Sequence, residues 1–361
     1  MRLLTLCAQD FRNLERVEVS TDARFVMFTG ENAQGKTNLL EAVHTLAALK
    51  GFRARRNREL LRHGQDAAKV SGLVFDGESR RQLSVELSPT GRKGRVDGKS
   101  PAQLEEYFAS LRAVVFTPED VAIVREGPEL RRRFLDRAAF TARAGFLEIA
   151  QAFRGAMEQK SALLRQERPD RLSLEVFNER LAIAGARLSA RRDRLVAELH
   201  EPFLQMHGAI SGRGKVGLRY VSRLGDGDEA ARAERFRSLL GENLNAELER
   251  GAPLDGPQRD ELELSLDGRS ARTWGSQGQV RSLALALKLA ELSAARRRGA
   301  RPLFLLDDLS SELDRLRTGR LVDLLASLDL QVLVTSTDPN VLGDQPEQLR
   351  YAVEAGVPRL L

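Results

Sequence analysis

The residues best suited to chemistry stand at Gly30-Glu31-Asn32-Ala33-Gln34-Gly35-Lys36-Thr37, a glycine, four residues, then glycine, lysine and threonine. The glycines let backbone N–H groups curl around a phosphate chain, and the start of a helix adds partial positive charge. Lys36 can reach the outer phosphates of a nucleotide, and the Thr37 hydroxyl can hold Mg²⁺. Such a cradle needs an acid for the metal. Asp307 and Asp308 supply two, delivered by the apolar run Leu303-Phe304-Leu305-Leu306. Asp307 is the expected Mg²⁺ partner, and Asp308 is placed to orient or deprotonate an attacking water. Two such carboxylates would repel each other without a cation. Ser276-Gln277-Gly278-Gln279 opens a long apolar helix and is either a further anion site or an ordinary helix cap. Val334-Thr335-Ser336-Thr337-Asp338 ends a strand, where Thr337 could sense a γ-phosphate.

Periodicity indicates the elements that must position these groups. Residues 24–29 read as a buried strand ending at Gly30, and Leu39, Leu40, Val43, Leu46 and Ala47 mark a helix over 36–49. Alternation between Lys69 and Asp97, with turns at Asp76-Gly77 and Asp97-Gly98, predicts an antiparallel sheet. Residues 129–166 and 172–207 read as two long helices joined at Arg168-Pro169-Asp170. Strands at 303–306 and 331–335 flanking a helix over 314–328 form a βαβ unit, hence a parallel sheet. The fold class is therefore α/β, one head built from both chain ends with an inserted α-helical arm. Boundaries are expected at 1–115 and 241–361 for the head and 116–240 for the arm.

Composition removes other classes. With 42% hydrophobic residues the 361-residue chain is not disordered, and Lys288 and Glu291 break its longest apolar stretch, so no segment reads as membrane-spanning. The first residues lack a signal-peptide pattern, and a single cysteine, Cys7, makes no disulfide framework. A cytoplasmic, nucleoid-associated protein without a membrane partner is expected. The net charge of +6 rests on 49 arginines against 8 lysines, which suits a phosphate-rich partner and equally suits a GC-rich coding sequence. Arg53, Arg55, Arg56 and Arg58 are the candidate DNA contacts, with Arg131 to Arg133 and Arg296 to Arg298 behind them. The runs at 131–133 and 191–192 read more simply as solvated helix faces. Aromatics make up only 5% and are not interleaved with the arginines, which favours duplex backbone contact over base stacking.

In this order the motifs resemble those of ABC-type ATPase heads: Walker A, signature, Walker B, D-loop and switch. Phe11-Arg12-Asn13-Leu14, the phosphate loop through Asn38, Gly51-Phe52-Arg53, residues 116–120, 132–136, 276–279 and 306–314 together resemble the RecF family of bacterial DNA replication and repair proteins. The resemblance implies an SMC-like head with a shortened arm. It implies ATP and Mg²⁺ as cofactors, with Arg12, Asn13, Gly30, Asn32, Ala33, Gln34, Gly35, Lys36, Thr37 and Asn38 around the nucleotide. It implies an ATP-dependent homodimer in which Ser276, Gly278 and Gln279 of one copy meet the nucleotide of the other. Duplex and gapped DNA, RecR, RecO and RecA are the implied partners, in homologous recombination and the SOS response. Asp308 stands where most relatives of the wider superfamily carry Glu, and Thr337 where many carry His, so slow, switch-like hydrolysis is expected. Another SMC-like repair ATPase and a small-molecule P-loop kinase are the alternatives.

Overall fold

The computed structural model describes residues 1–142 and 145–361, and the side chains of all of these except 311 and 312. The chain divides into two compact units. One comprises Met1–Asp120, Met206–Gly212 and Arg281–Leu361, the other Val121–Gln205 and Arg213–Val280.

Two sheets of the first unit sandwich one helix. Five antiparallel strands are ordered Leu14–Ser20, Arg2–Phe11, Ala68–Phe75, Arg80–Leu87, Arg92–Val96. The second sheet is mixed and runs Val357–Leu360, Gln348–Glu354, Phe25–Thr29, Val332–Ser336, Leu303–Leu306, Ala113–Phe116. Four of its five pairings are parallel, and the fifth, to the edge strand Val357–Leu360, is antiparallel. Phe25–Thr29, Leu303–Leu306 and Val332–Ser336 are buried along their whole length, as parallel strands covered on both faces must be. Between the sheets lies the helix Lys36–Ala48. Its Leu39, Leu40, Val43 and Leu46 pack with Leu6, Phe11, Val70 and Val85 of the antiparallel sheet and with Val26, Phe28, Leu305 and Leu333 of the mixed one. Each such side chain contributes roughly 1.5–3 kcal/mol on leaving water.

One polar residue ties the sheets together. Gln331, 2% exposed, accepts the Leu3 N–H at 2.8 Å and donates to the carbonyls of Leu3, Thr21 and Ala23. The Leu3 carbonyl also accepts the Thr21 hydroxyl and the Thr21 carbonyl the Ala23 N–H, so it is the Ala23 carbonyl and the Leu3 N–H that depend most on Gln331.

The second unit holds most of Arg171–Ser211, as the periodicity predicts, and two helices, Pro128–Ala142 and Phe146–Leu164, where 129–166 was expected as one; a three-stranded antiparallel sheet joins them. That sheet moves the second boundary from 240 to 280: Val216–Val221 pairs along Glu261–Leu266, and this pairing holds 261–270 in the helical unit. The first boundary, at 120, falls five residues beyond the expected 115. The expectation of solvated arginine runs is corrected at two positions. Arg131, 5% exposed, grips Glu261 with two bonds of 2.6 and 2.8 Å, and Arg192, 4% exposed, grips Asp136 and reaches Asp260. Burying either guanidinium demands such a partner.

Replacing Gln331 by Leu should destabilise the chain by about 2–4 kcal/mol, chiefly through the buried Ala23 carbonyl and Leu3 N–H that lose its amide. Urea unfolding of the variant against wild type checks this; an unchanged midpoint would contradict it.

Candidate nucleotide site

The phosphate loop follows its strand without delay. Gly30 has φ +147° and Gly35 φ +105°, conformations that glycine alone adopts cheaply. At Gly30 there is also no room, since a Cβ would stand 2.4 Å from the Val353 carbonyl oxygen. Ala33 joins them at φ +63°. The helix Lys36–Ala48 begins with no side-chain cap, so its first N–H groups remain available to an anion.

Two turns brace this loop. Arg12 and Asn13 form the two-residue link between Arg2–Phe11 and Leu14–Ser20, with Arg12 at φ +54°. Asn13 approaches the Gln34 carbonyl and accepts from Asn38 at 2.7 Å. From the other side, the turn after Gln348–Glu354 donates Ala355 N–H to the Gln34 side chain and Gly356 N–H to its carbonyl, at 2.7 and 2.8 Å. Gln34 thus serves as a strut of the loop through both its side chain and its backbone.

Lys36 is 8% exposed, and its ammonium donates to the Gly30 and Glu31 carbonyls at 2.7 and 2.6 Å. Burial lowers its pKa, while Asp308 and Asp307 act in the opposite direction. The second turn of chemistry centres on Asp307, 4% exposed. Its Oδ1 accepts from the Thr37 hydroxyl at 2.8 Å and from the Thr335 hydroxyl at 2.7 Å. Burial raises its pKa, against the pull of those two hydroxyls. Asp308 follows in the left-handed region at φ +51°, its N–H donating to the Thr335 hydroxyl at 2.8 Å. Ser310 donates to Asp308 Oδ1 at 3.3 Å and shares a hydrogen bond with the exposed Thr337 at 3.0 Å. Thr29, Gly30, Glu31, Asn32, Thr337 and Pro339 line an open cleft of about 650 Å³.

The structure therefore brings Asn13, Gly30, Gln34, Gly35, Lys36, Thr37, Asn38, Asp307, Asp308 and Thr337 into one connected neighbourhood. Arg12 is engaged differently: its Nε donates to Glu41 at 2.8 Å, and Glu41, fully buried, also accepts the Arg53 and Ala54 N–H groups. Asn32 lies on the cleft wall. Ser276, Gly278 and Gln279 belong to the other unit. There Ser276 and Gln279 form a reciprocal cap, Ser276 N–H to Gln279 Oε1 at 2.8 Å and Gln279 N–H to Ser276 Oγ at 3.3 Å. The serine is exposed all the same, and Arg125 pins its loop through the carbonyls of Arg272 and Gly275. Arg53, Arg55, Arg56 and Arg58 are exposed; Arg53 comes within 4.0 Å of Glu119, and the other three make no ion pair among the described residues. The D-loop side chains of residues 311 and 312 lie outside the described ones.

The hard oxygen donors of Thr37 and Asp307, side by side, fit Mg²⁺, and the loop's positive-φ backbone with a buried ammonium fits a phosphate chain. Sequence reasoning missed Thr335, Glu41 and the turn at 355–356. Thr335 lies on the same strand end, two residues before Thr337, and only the register against the neighbouring strand decides which of them meets Asp307.

Comparison with known proteins agrees with this geometry. The family model described as RecF/RecN/SMC N terminal domain matches residues 2–357. The DNA replication and repair protein RecF of Anaeromyxobacter sp. (strain Fw109-5) is 42% identical over 99% of this chain and 98% of its own. The chain belongs to the RecF family. RecF of Myxococcus xanthus (strain DK1622) is also 42% identical, over 95% of this chain and 92% of its own. A solved structure of the recombination mediator protein RecF with ATP in the RecFOR pathway matches with a TM-score of 0.90 at 28% identity, covering 99% of both chains. An Smc head domain from Pyrococcus furiosus matches with a TM-score of 0.59 at 16% identity, covering 100% of this chain and 96% of its own, a likeness of fold. The RecF-family chain has the ABC-type ATPase head fold.

Thr335→Val removes the hydroxyl that serves both Asp307 and the Asp308 N–H. A loss of about tenfold in nucleotide hydrolysis, equivalent to about 1.4 kcal/mol, should follow with stability reduced by a similar amount. Steady-state phosphate release and a thermal melt check both numbers.

Proposed function

We propose that this protein is an ATP-dependent recombination mediator: it binds duplex DNA at gaps, dimerises on ATP, hydrolyses ATP slowly and acts with RecR and RecO to help load RecA. The observation that carries the reading is the single hydrogen-bonded path Thr37–Asp307–Thr335–Asp308 beside a buried Lys36. The similarity to a RecF solved with ATP supports it. Lys36 exchanges the Gly30 and Glu31 carbonyls for phosphate oxygens, which relieves a buried ammonium with a lowered pKa. Thr37 and Asp307 would hold Mg²⁺, which would supply positive charge against the phosphates. Asp308 receives the proton of the attacking water. Aspartate is shorter than glutamate by a methylene, and Ser310 and Thr337 offer hydroxyls rather than a cation at the transferred phosphoryl group, so turnover is slow.

Ser276 acts on the nucleotide of a second copy. Its exposure on a pinned loop at a helix start supports that role. ATP closure would then join two sets of exposed arginines, Arg53 to Arg58, and double the phosphates they neutralise. In the cell such a protein would work in the cytoplasm, on the nucleoid.

A mixing experiment tests the shared site. Lys36→Met and Ser276→Arg should each be inactive alone, and an equimolar mixture should recover roughly a quarter of wild-type hydrolysis, because half of the dimers formed are mixed and each carries one intact composite site. Hydrolysis by Ser276→Arg alone at the wild-type rate would overturn the trans arrangement. For DNA, replacing Arg55, Arg56 and Arg58 by Ala should lower the slope of log affinity against log salt by about 2–3. An unchanged slope would exclude those contacts.

A further inference from the structure

The nucleotide-facing residues Gly30, Asp307 and Thr337 all follow the C-terminal ends of the parallel strands. At the opposite ends, Arg24 precedes Phe25–Thr29, Arg301 and Pro302 precede Leu303–Leu306, and Gln331 precedes Val332–Ser336. These ends enclose a cavity of about 330 Å³ into which Arg2, Arg80 and Arg296 also converge. Leu4, Phe75 and Pro302 give it an apolar wall.

Its charges do not balance. Asp22 and Asp329 are the acids that line it, and Arg2 is taken by Glu347 at 2.9 Å. Arg24 spends one nitrogen on the carbonyls of Ala326 and Leu328, both at 2.5 Å, and its Nε is buried without a partner. Arg80, Arg296 and Arg301 make no ion pair among the described residues. Arg296 has a local reason to be there, since it lies in the last turn of the helix Gln277–Arg297, where a cation offsets the dipole. Arg80 begins a strand and Arg301 ends a loop, so that reason does not extend to them. Planar guanidinium forks match the oxygens of a phosphate, and an apolar wall beside them suits a base or ribose. The volume lies at the low end of the range for small-molecule sites.

We propose that this cavity is a second phosphate site, distinct from the phosphate loop, which takes a nucleoside phosphate with Arg80 and Arg301 on the phosphate. Its source is either a free mononucleotide or a nucleotide of a DNA strand. The test uses full-length Lys36→Met protein, which silences the phosphate loop, with and without Arg80→Ala and Arg301→Ala. Both arginines are exposed, so melting temperatures should agree and confirm that the variants fold. Equilibrium dialysis with AMP reads the first source: saturable binding that weakens at least tenfold in the double variant assigns a free nucleotide. Affinity for a blunt duplex across a salt series reads the second. AMP unbound, with duplex binding weakened and the log–log slope lowered by about 1–2, assigns the strand. If neither ligand loses affinity in the double variant, the proposal is overturned.

Discussion

The arrangement depends on one buried carboxylate. Asp307 sits at the end of an entirely apolar strand, where an unpaired charge would be costly, and the Thr37 and Thr335 hydroxyls both converge on its Oδ1. Through Thr37 it fastens the first turn of the phosphate-loop helix to the mixed sheet. Through Thr335 it fixes the neighbouring strand and, one bond further, the backbone of Asp308. Burial raises its pKa, so the site holds a carboxylate whose charge is poorly compensated by hydroxyls alone. A divalent cation is the natural complement.

Around that point the fold spends polar side chains where backbone must be held. Gln331 stitches the antiparallel sheet to the mixed one, Gln34 accepts from the turn at 355–356, and Glu41 gathers Arg12 together with the loop carrying Arg53. Each is a buried or half-buried group with its partners present, the condition under which polar residues specify a unique arrangement instead of weakening it. The consequence is a phosphate loop that is clamped from three directions: by its own helix, by the turn at Arg12 and Asn13, and by the last hairpin of the chain. Both ends of the sequence are therefore needed to make one site.

The phosphate loop, the paired acids and the βαβ unit were legible because they rest on local rules: positive φ demands glycine, and a strand buried on both faces demands an unbroken apolar run. What escaped depended on distant partners. Arg131 and Arg192 read as solvated because Glu261 and Asp136 are far along the chain, yet those carboxylates are what permit their burial. The 241–280 segment was expected in the head, and its strand pairing with Val216–Val221 groups it with the helices. Thr337 reads from sequence as a γ-phosphate sensor, and it hydrogen-bonds Ser310; the hydroxyl that meets Asp307 belongs to Thr335, which the spacing alone does not single out. Spacing along a strand gives the face a residue shares; it does not give the distance to a residue on the next strand.

The most direct test of the Asp307 hub is a titration of ATP into wild-type and Asp307→Asn protein, each with and without Mg²⁺, followed by calorimetry. Mg²⁺ should tighten ATP binding at least tenfold in the wild type and leave the variant unchanged, with the two proteins alike when the metal is absent. An equal gain from Mg²⁺ in both proteins would contradict it.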